Sequence, residues 1–90
     1  MAHIVYIVEC ADKSLYTGWT NDLEKRIHSH NHATIGAKYT RGRRPVKLVY
    51  SEVLPSLKCA LQREAEIKRL SRVQKKALIR QKQGESLATP

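Results

Sequence analysis

His3 to Cys10 alternates β-branched and aromatic residues with few polar ones, a pattern that predicts a strand. Ala11-Asp12-Lys13-Ser14 is a polar connector of hairpin length, and Leu15 to Trp19 resumes the extended pattern, so the chain opens with a β-hairpin. Thr20 and Asn21 both suit a helix N-cap, and Asn21 with Glu24 three places on has capping-box spacing. A first helix is expected from there to about His32, followed by a glycine-containing basic loop over residues 33–44. Pro45 ends the loop, and Val46 to Val53 is expected as a third strand. Pro55-Ser56 starts a second helix that runs to about Leu70. Ser71 and Gln74 repeat the capping-box pair, which places a third helix from Arg72 to about Gln81. Residues 83–90 are polar and small and read as a disordered tail. The order β-β-α-β-α-α describes a single α+β domain over residues 1–82, with helices covering a small sheet.

Length and charge narrow the class. Ninety residues suffice for one hydrophobic core. Nothing approaches the ~20 consecutive apolar residues of a membrane span, and no secretory leader is expected ahead of the first strand. Cys10 and Cys59 lie far apart among apolar residues and match no zinc or redox spacing, so both are expected as free thiols, in keeping with a reducing cytoplasm. Lys and Arg number 17 against 8 Asp and Glu, a net charge of +9, which favours a polyanionic partner and above all nucleic acid. The cations cluster at Lys38, Arg41, Arg43 and Arg44, and again, with no acid among them, from Lys68 and Arg72 to Lys82. A membrane-surface role is the rival reading, but the C-terminal segment lacks a bulky aromatic face.

The chemistry shows where polar groups occupy apolar positions. Leu23 and Ile27 mark the inward stripe of the first helix, and Arg26 and His30 lie on that same stripe. In the second helix the stripe runs Leu57, Ala60, Leu61, Glu64, Ile67, which turns Glu64 towards the sheet. Breaking a buried charge pair costs about 3–5 kcal/mol, so such placements have a reason. One reading is a structural Arg26–Glu64 salt bridge, or side chains that snorkel out at the stripe's edge. The other is a cleft that the three groups line together with Tyr6 and Tyr16, one from each hairpin strand. Gly18 leaves room on the Tyr16 face.

Val5-Tyr6-Ile7, then Tyr16-Thr17-Gly18, Arg26 ten residues after Tyr16, His30 one turn later and Glu64 on the following helix resemble the GIY-YIG nuclease family. The likeness covers residues 3 to 80 and is closest to the small stand-alone bacterial members. Ile4 stands where the first motif has glycine, Thr17 replaces the isoleucine of the second, and no asparagine follows Asn31. The resemblance implies a three-stranded antiparallel sheet flanked by helices and metal-dependent hydrolysis of a DNA phosphodiester. It implies catalytic roles for Tyr6, Tyr16, Arg26, His30 and Glu64, with Glu64 as the metal ligand.

Phosphodiester hydrolysis needs an activated water, neutralisation of phosphoryl charge and help for the leaving oxygen. One hard ion, Mg²⁺ or Mn²⁺, on Glu64 fits the last two. Arg26 offers a planar cation for bidentate phosphate contact. Tyr6 is the expected general base, which requires its pKa to fall from about 10, and Tyr16 the group that orients water or phosphate; the two roles are exchangeable. Lys38, Arg41, Arg43, Arg44, Lys68 and Arg72 are expected on backbone phosphates. Trp19 reads as core packing, with base stacking the alternative. His28 and His32 share one helix face while His30 lies opposite, so the three cannot converge on one ion. Solvated helix-end histidines are the preferred reading of that pair, and paired metal binding the alternative.

The leading expectation is therefore a structure-directed or weakly sequence-specific DNA endonuclease. It would be a monomer acting on branched or single-stranded DNA, with a protein partner as one source of specificity. The alternatives are a nucleic-acid-binding module of the same fold with little catalysis, and a basic scaffold for an acidic protein.

Overall fold

The N-terminal hairpin forms β1 (His3–Glu9) and β2 (Leu15–Thr20). It does so in a computed structural model that describes residues 2–32 and 42–88, with side chains through residue 82. Its turn closes through Cys10 N–H to the Ser14 carbonyl at 2.8 Å and Lys13 N–H to the Cys10 carbonyl at 2.9 Å. Lys13 takes the left-handed conformation, φ 72°, that this tight reversal requires. Asp12 stabilises the turn by accepting from both the backbone N–H and the hydroxyl of Ser14.

Helix α1 (Leu23–His32) follows, then β3 (Lys47–Leu54), α2 (Leu57–Arg69) and α3 (Arg72–Ala88). The strands form one antiparallel sheet in the order β2-β1-β3, so the most apolar strand lies in the middle. Ile7 pairs with Tyr50 and Val8 with Leu48, which leaves Val49 as a bulge in β3.

Alternation along β1 divides the core. Val5 and Ile7 face α2 and α3, where they cluster with Tyr50, Ala60 and Ile67, backed by Leu15, Trp19, Leu78 and Ile79. Tyr6, Val8 and Cys10 face the other way, with Val46, Tyr16, Leu23 and Ile27 of the α1 side. The result is three layers: one helix, the sheet, two helices. Trp19 thus packs on the core, and both cysteines are free, Cys10 buried and Cys59 partly exposed. No helix among the described residues is long and apolar enough to cross a membrane.

Several element ends differ from expectation for local reasons. Because β2 continues through Thr20, Asp22 rather than Asn21 caps α1: its Oδ1 accepts from Lys25 N–H at 3.2 Å. In α2, Ser56 Oγ caps as expected, accepting from Cys59 N–H at 3.1 Å. The buried face centres on Ala60 and Ile67, so Leu57 and Leu61 are exposed instead of forming the stripe. Ser71 and Gln74 do form a reciprocal capping box, at 2.9 and 3.2 Å. Helix α3 then runs past Gln81 to Ala88, since Gly84 costs a helix only about 1 kcal/mol and no proline intervenes. The tail's last residues, 89–90, lie outside the described residues, as does most of the basic loop.

Two contacts that the pattern does not reveal fix α1 to the sheet. Asn31 clamps the start of β3, its Oδ1 accepting from Val46 N–H at 2.7 Å and its Nδ2 donating to the Val46 carbonyl at 3.2 Å. Arg44 Nε donates to the His30 carbonyl at 2.6 Å. On the opposite face of the sheet Tyr50 donates to Glu52, which also accepts from Arg63 Nε at 3.2 Å.

Two β2 positions yield predictions. Thr17 is only 4% exposed and its hydroxyl has no hydrogen-bond partner among the described residues. Thr17→Val is expected to raise the stability in urea unfolding by about 1 kcal/mol, because it removes an unsatisfied buried polar group. At Gly18 a Cβ would sit 2.7 Å from the Tyr6 hydroxyl and 2.9 Å from Tyr6 Cζ. Gly18→Ala must displace that ring, and is expected to cost about 1–3 kcal/mol in the same measurement.

Candidate active site

The α1-facing side of the sheet carries a buried polar group at its centre. Tyr6 lies directly opposite Gly18 in the β1–β2 register, so its ring lies flat across a position without a side chain. The stripe of α1 brings Arg26 and His30 down onto it. His30 Nε2 is 2.8 Å from the Tyr6 hydroxyl, and Arg26 Nε donates to that same oxygen at 3.2 Å. The Tyr16 ring completes the cluster: its centroid is 5.2 Å from His30, edge to face, and 6.5 Å from Tyr6. Tyr6 and His30 are fully buried, whereas Tyr16 and Arg26 retain partial exposure. Four of the five expected site residues therefore meet in one cluster, two fully buried and two partly exposed.

Hydrogen-bond chemistry constrains where the protons sit. Arg26 can only donate, so the Tyr6 oxygen is its acceptor. With His30 protonated at Nδ1, its Nε2 is the acceptor for the Tyr6 proton. Electrostatics agrees. Burial, then the charges of Arg26 and Arg44, hold the His30 pKa below its usual value and keep the ring neutral.

Tyr6, however, does not show the lowered pKa that a standing phenolate base needs. Burial raises it, against the opposing hydrogen bond and charge of Arg26, and Tyr16 and Glu64 push it further up. The desolvation of a completely enclosed ring outweighs one guanidinium. In this state Tyr6 is a phenol with both of its hydrogen-bonding capacities in use.

Glu64 has only 18% of its side chain exposed and lies near enough for its charge to act on Tyr6. It makes no salt bridge with Arg26, whose partner is Tyr6, so the structural-bridge reading does not hold among the described residues. Among the described residues, the cation paired with it is Lys68, a turn further along α2, with Nζ 3.5 Å from Oε2. Glu52 and Asp12, by contrast, each collect close donors. A largely desolvated carboxylate with one long contact suits a hard divalent cation. No cluster of three or more His, Cys, Asp or Glu surrounds it among the described residues, so Glu64 is the protein group there that would hold such an ion.

The expected phosphate-binding cations divide. Lys38 and Arg41 lie outside the described residues. Arg43 and Arg72 both converge on the hairpin turn: Arg43 Nε pairs with Asp12 at 3.0 Å, and Arg72 Nη2 donates to the Lys13 carbonyl at 2.8 Å. Lys68 flanks Glu64, and Arg44 reaches the end of α1 beneath His30. Arg44's influence on His30 and the Asn31 clamp were not legible in advance, because both depend on how the chain returns from the basic loop. The nearest signal was the polar Asn31 beside two histidines at the helix end.

Comparison with known proteins places the chain in a family. The GIY-YIG catalytic domain matches residues 2–77. A UPF0213 protein of Syntrophus aciditrophicus is 58% identical over 77 residues, spanning 86% of this chain and 88% of its own length. One from Natronomonas pharaonis is 51% identical over 82 residues, 91% of this chain and 95% of its own length. Among solved structures, the UPF0213 protein BH0048 from Bacillus halodurans, determined by solution NMR, is 49% identical, with a TM-score of 0.60 over 91% of this chain and 86% of that one. A protein from E. faecalis superposes with a TM-score of 0.63 at 35% identity, over 90% of this chain and 85% of that one. With its sheet order, its paired tyrosines and these relatives in agreement, the chain belongs to the GIY-YIG nuclease family, in the group of small UPF0213 proteins.

Proposed function

We propose that the protein is a metal-dependent endonuclease that hydrolyses DNA phosphodiesters with structure-directed or weak sequence specificity. The observation that carries this reading is the meeting of Tyr6, Tyr16, Arg26 and His30 in one cluster, within electrostatic reach of Glu64. The net charge of +9 suits a polyanionic substrate. Specificity for branched or single-stranded DNA would come from shape, or from a protein partner.

The chain's own groups support a defined sequence of events. Arg26 is partly exposed and turns its guanidinium to an incoming phosphate, a better bidentate acceptor than a phenol. That movement uncovers the Tyr6 oxygen. The attacking water gives its proton to that oxygen while Tyr6 passes its own to His30 Nε2, so the hydroxyl forms its bond to phosphorus as the P–O bond to the leaving oxygen breaks. Neither tyrosine nor histidine needs to carry a charge beforehand. Tyr16, beside Arg26, orients the water or the phosphate. A Mg²⁺ or Mn²⁺ ion, when held by Glu64, supplies positive charge for the phosphoryl and leaving oxygens. Lys68, Arg44, Arg43 and Arg72, with Lys38 and Arg41, would contact flanking phosphates.

Incubation with supercoiled plasmid and branched DNA in Mg²⁺ or Mn²⁺ tests this. Wild type is expected to cleave. Glu64→Gln, Arg26→Ala and Tyr6→Phe are expected to lose cleavage by about 10²–10⁴-fold while still binding DNA. Salt-sensitive binding without cleavage in either metal supports the alternative, a binding module that retains the fold.

The pH dependence follows from His30. A lowered pKa means that the ring stays a competent acceptor until the pH falls below the ordinary histidine value of about 6.5. Single-turnover cleavage is expected to hold constant above that value and to decline only below it. Arg44→Gln removes one of the charges that depress the pKa and is expected to move this acid limb upward. Folding shares the sign: the unfolded chain takes up a proton near pH 6.5 that the folded His30 refuses, so stability also falls as the pH drops below that value. Denaturation curves at each pH separate the two effects.

A further inference from the structure

We propose that His28 and His32 form a second metal site, separate from Glu64, that takes a borderline-soft transition ion such as Zn²⁺, Ni²⁺ or Cu²⁺. The two residues stand one turn apart on α1, on the exposed face opposite His30, and their rings lie side by side with centroids 4.4 Å apart and planes tilted by 33°. Helical spacing alone puts two imidazoles on one side of a helix. The structure adds that the rings are already adjacent, and that no hydrogen bond or ion pair with the described residues engages any of their four nitrogens. Two neutral imidazoles at this spacing close on one ion with a small side-chain rotation, since i and i+4 ligands share a helix face.

The surroundings set the class of ion. Leu23, Ile27 and Leu48 line the groove below the rings, and Glu24 lies one turn earlier on the same side, adding negative charge nearby in a strongly basic protein. Since Glu24 does not join the histidines in a three-residue cluster, the remaining coordination positions belong to water. Imidazole donors favour Cu²⁺, Ni²⁺ and Zn²⁺ over Mg²⁺, which prefers hard oxygen. The chain therefore offers two ions of different character two different places. Bridging the last turn of α1 also fastens the helix that carries Arg26 and His30.

Calorimetric titration of the full chain with Ni²⁺, Zn²⁺ and Mg²⁺ tests the assignment. Ni²⁺ and Zn²⁺ are expected to bind with one-to-one stoichiometry and to raise the melting temperature by mass action, and Mg²⁺ to give no signal at this pair. His28→Ala and His32→Ala, both at exposed positions, are each expected to weaken Ni²⁺ binding by at least about tenfold, since even outer-shell partners are worth that much. Glu64→Gln is expected to leave Ni²⁺ binding intact. The assignment is overturned if wild type does not bind Ni²⁺, if both histidine variants bind it as wild type does, or if Glu64→Gln abolishes it. Only the last result would place the ion in the nuclease cluster.

Discussion

The Tyr6 hydroxyl is the point on which the α1 side of the molecule depends. It lies on the central strand, enclosed on all sides, and it takes one hydrogen bond from Arg26 and shares a second with His30 Nε2. Each of those bonds is made by α1, so the position of that helix and the satisfaction of three buried or half-buried polar groups are one condition. A buried hydroxyl, imidazole or guanidinium left without its partner costs on the order of 1–3 kcal/mol or more, and together they leave the helix little freedom. Gly18 supplies the space and Tyr16 closes the side.

That interdependence also explains why the group can rest as neutral acid and neutral base. Burial raises the phenol and lowers the imidazole, so the proton stays on Tyr6 and the acceptor stays open. Such a pair is stable in isolation and becomes reactive only when something competes for Arg26. A phosphate diester is the natural competitor. Glu64 completes the set from the second helix, held by Lys68 alone among the described residues.

Much of the architecture was legible in the chain itself. The alternation of His3 to Glu9 and the capping pairs at Ser56 and Ser71 are local signals, and local signals survive folding. The placement of Arg26, His30 and Glu64 on apolar stripes was legible because helical periodicity is rigid. What escaped depends on several elements at once. Asp22 rather than Asn21 caps α1 because β2 runs one residue further. Leu57 and Leu61 remain exposed because the rotation of α2 is set by Ala60 and Ile67 against the sheet. The pKa of Tyr6 rises where a catalytic reading wanted it to fall, because no one-dimensional pattern reports complete desolvation. Arg44 Nε also reaches the His30 carbonyl at the end of α1, a long-range contact that no local pattern reports.

The central claim is a proton on Tyr6 facing an unprotonated nitrogen of His30, and ¹⁵N NMR of the imidazole reads it directly. At neutral pH and below, down past the usual histidine midpoint, the account predicts a neutral His30 ring protonated at Nδ1, with Nε2 showing the shift of a hydrogen-bonded acceptor. A His30 ring protonated at Nε2, or an imidazolium at neutral pH, would contradict it.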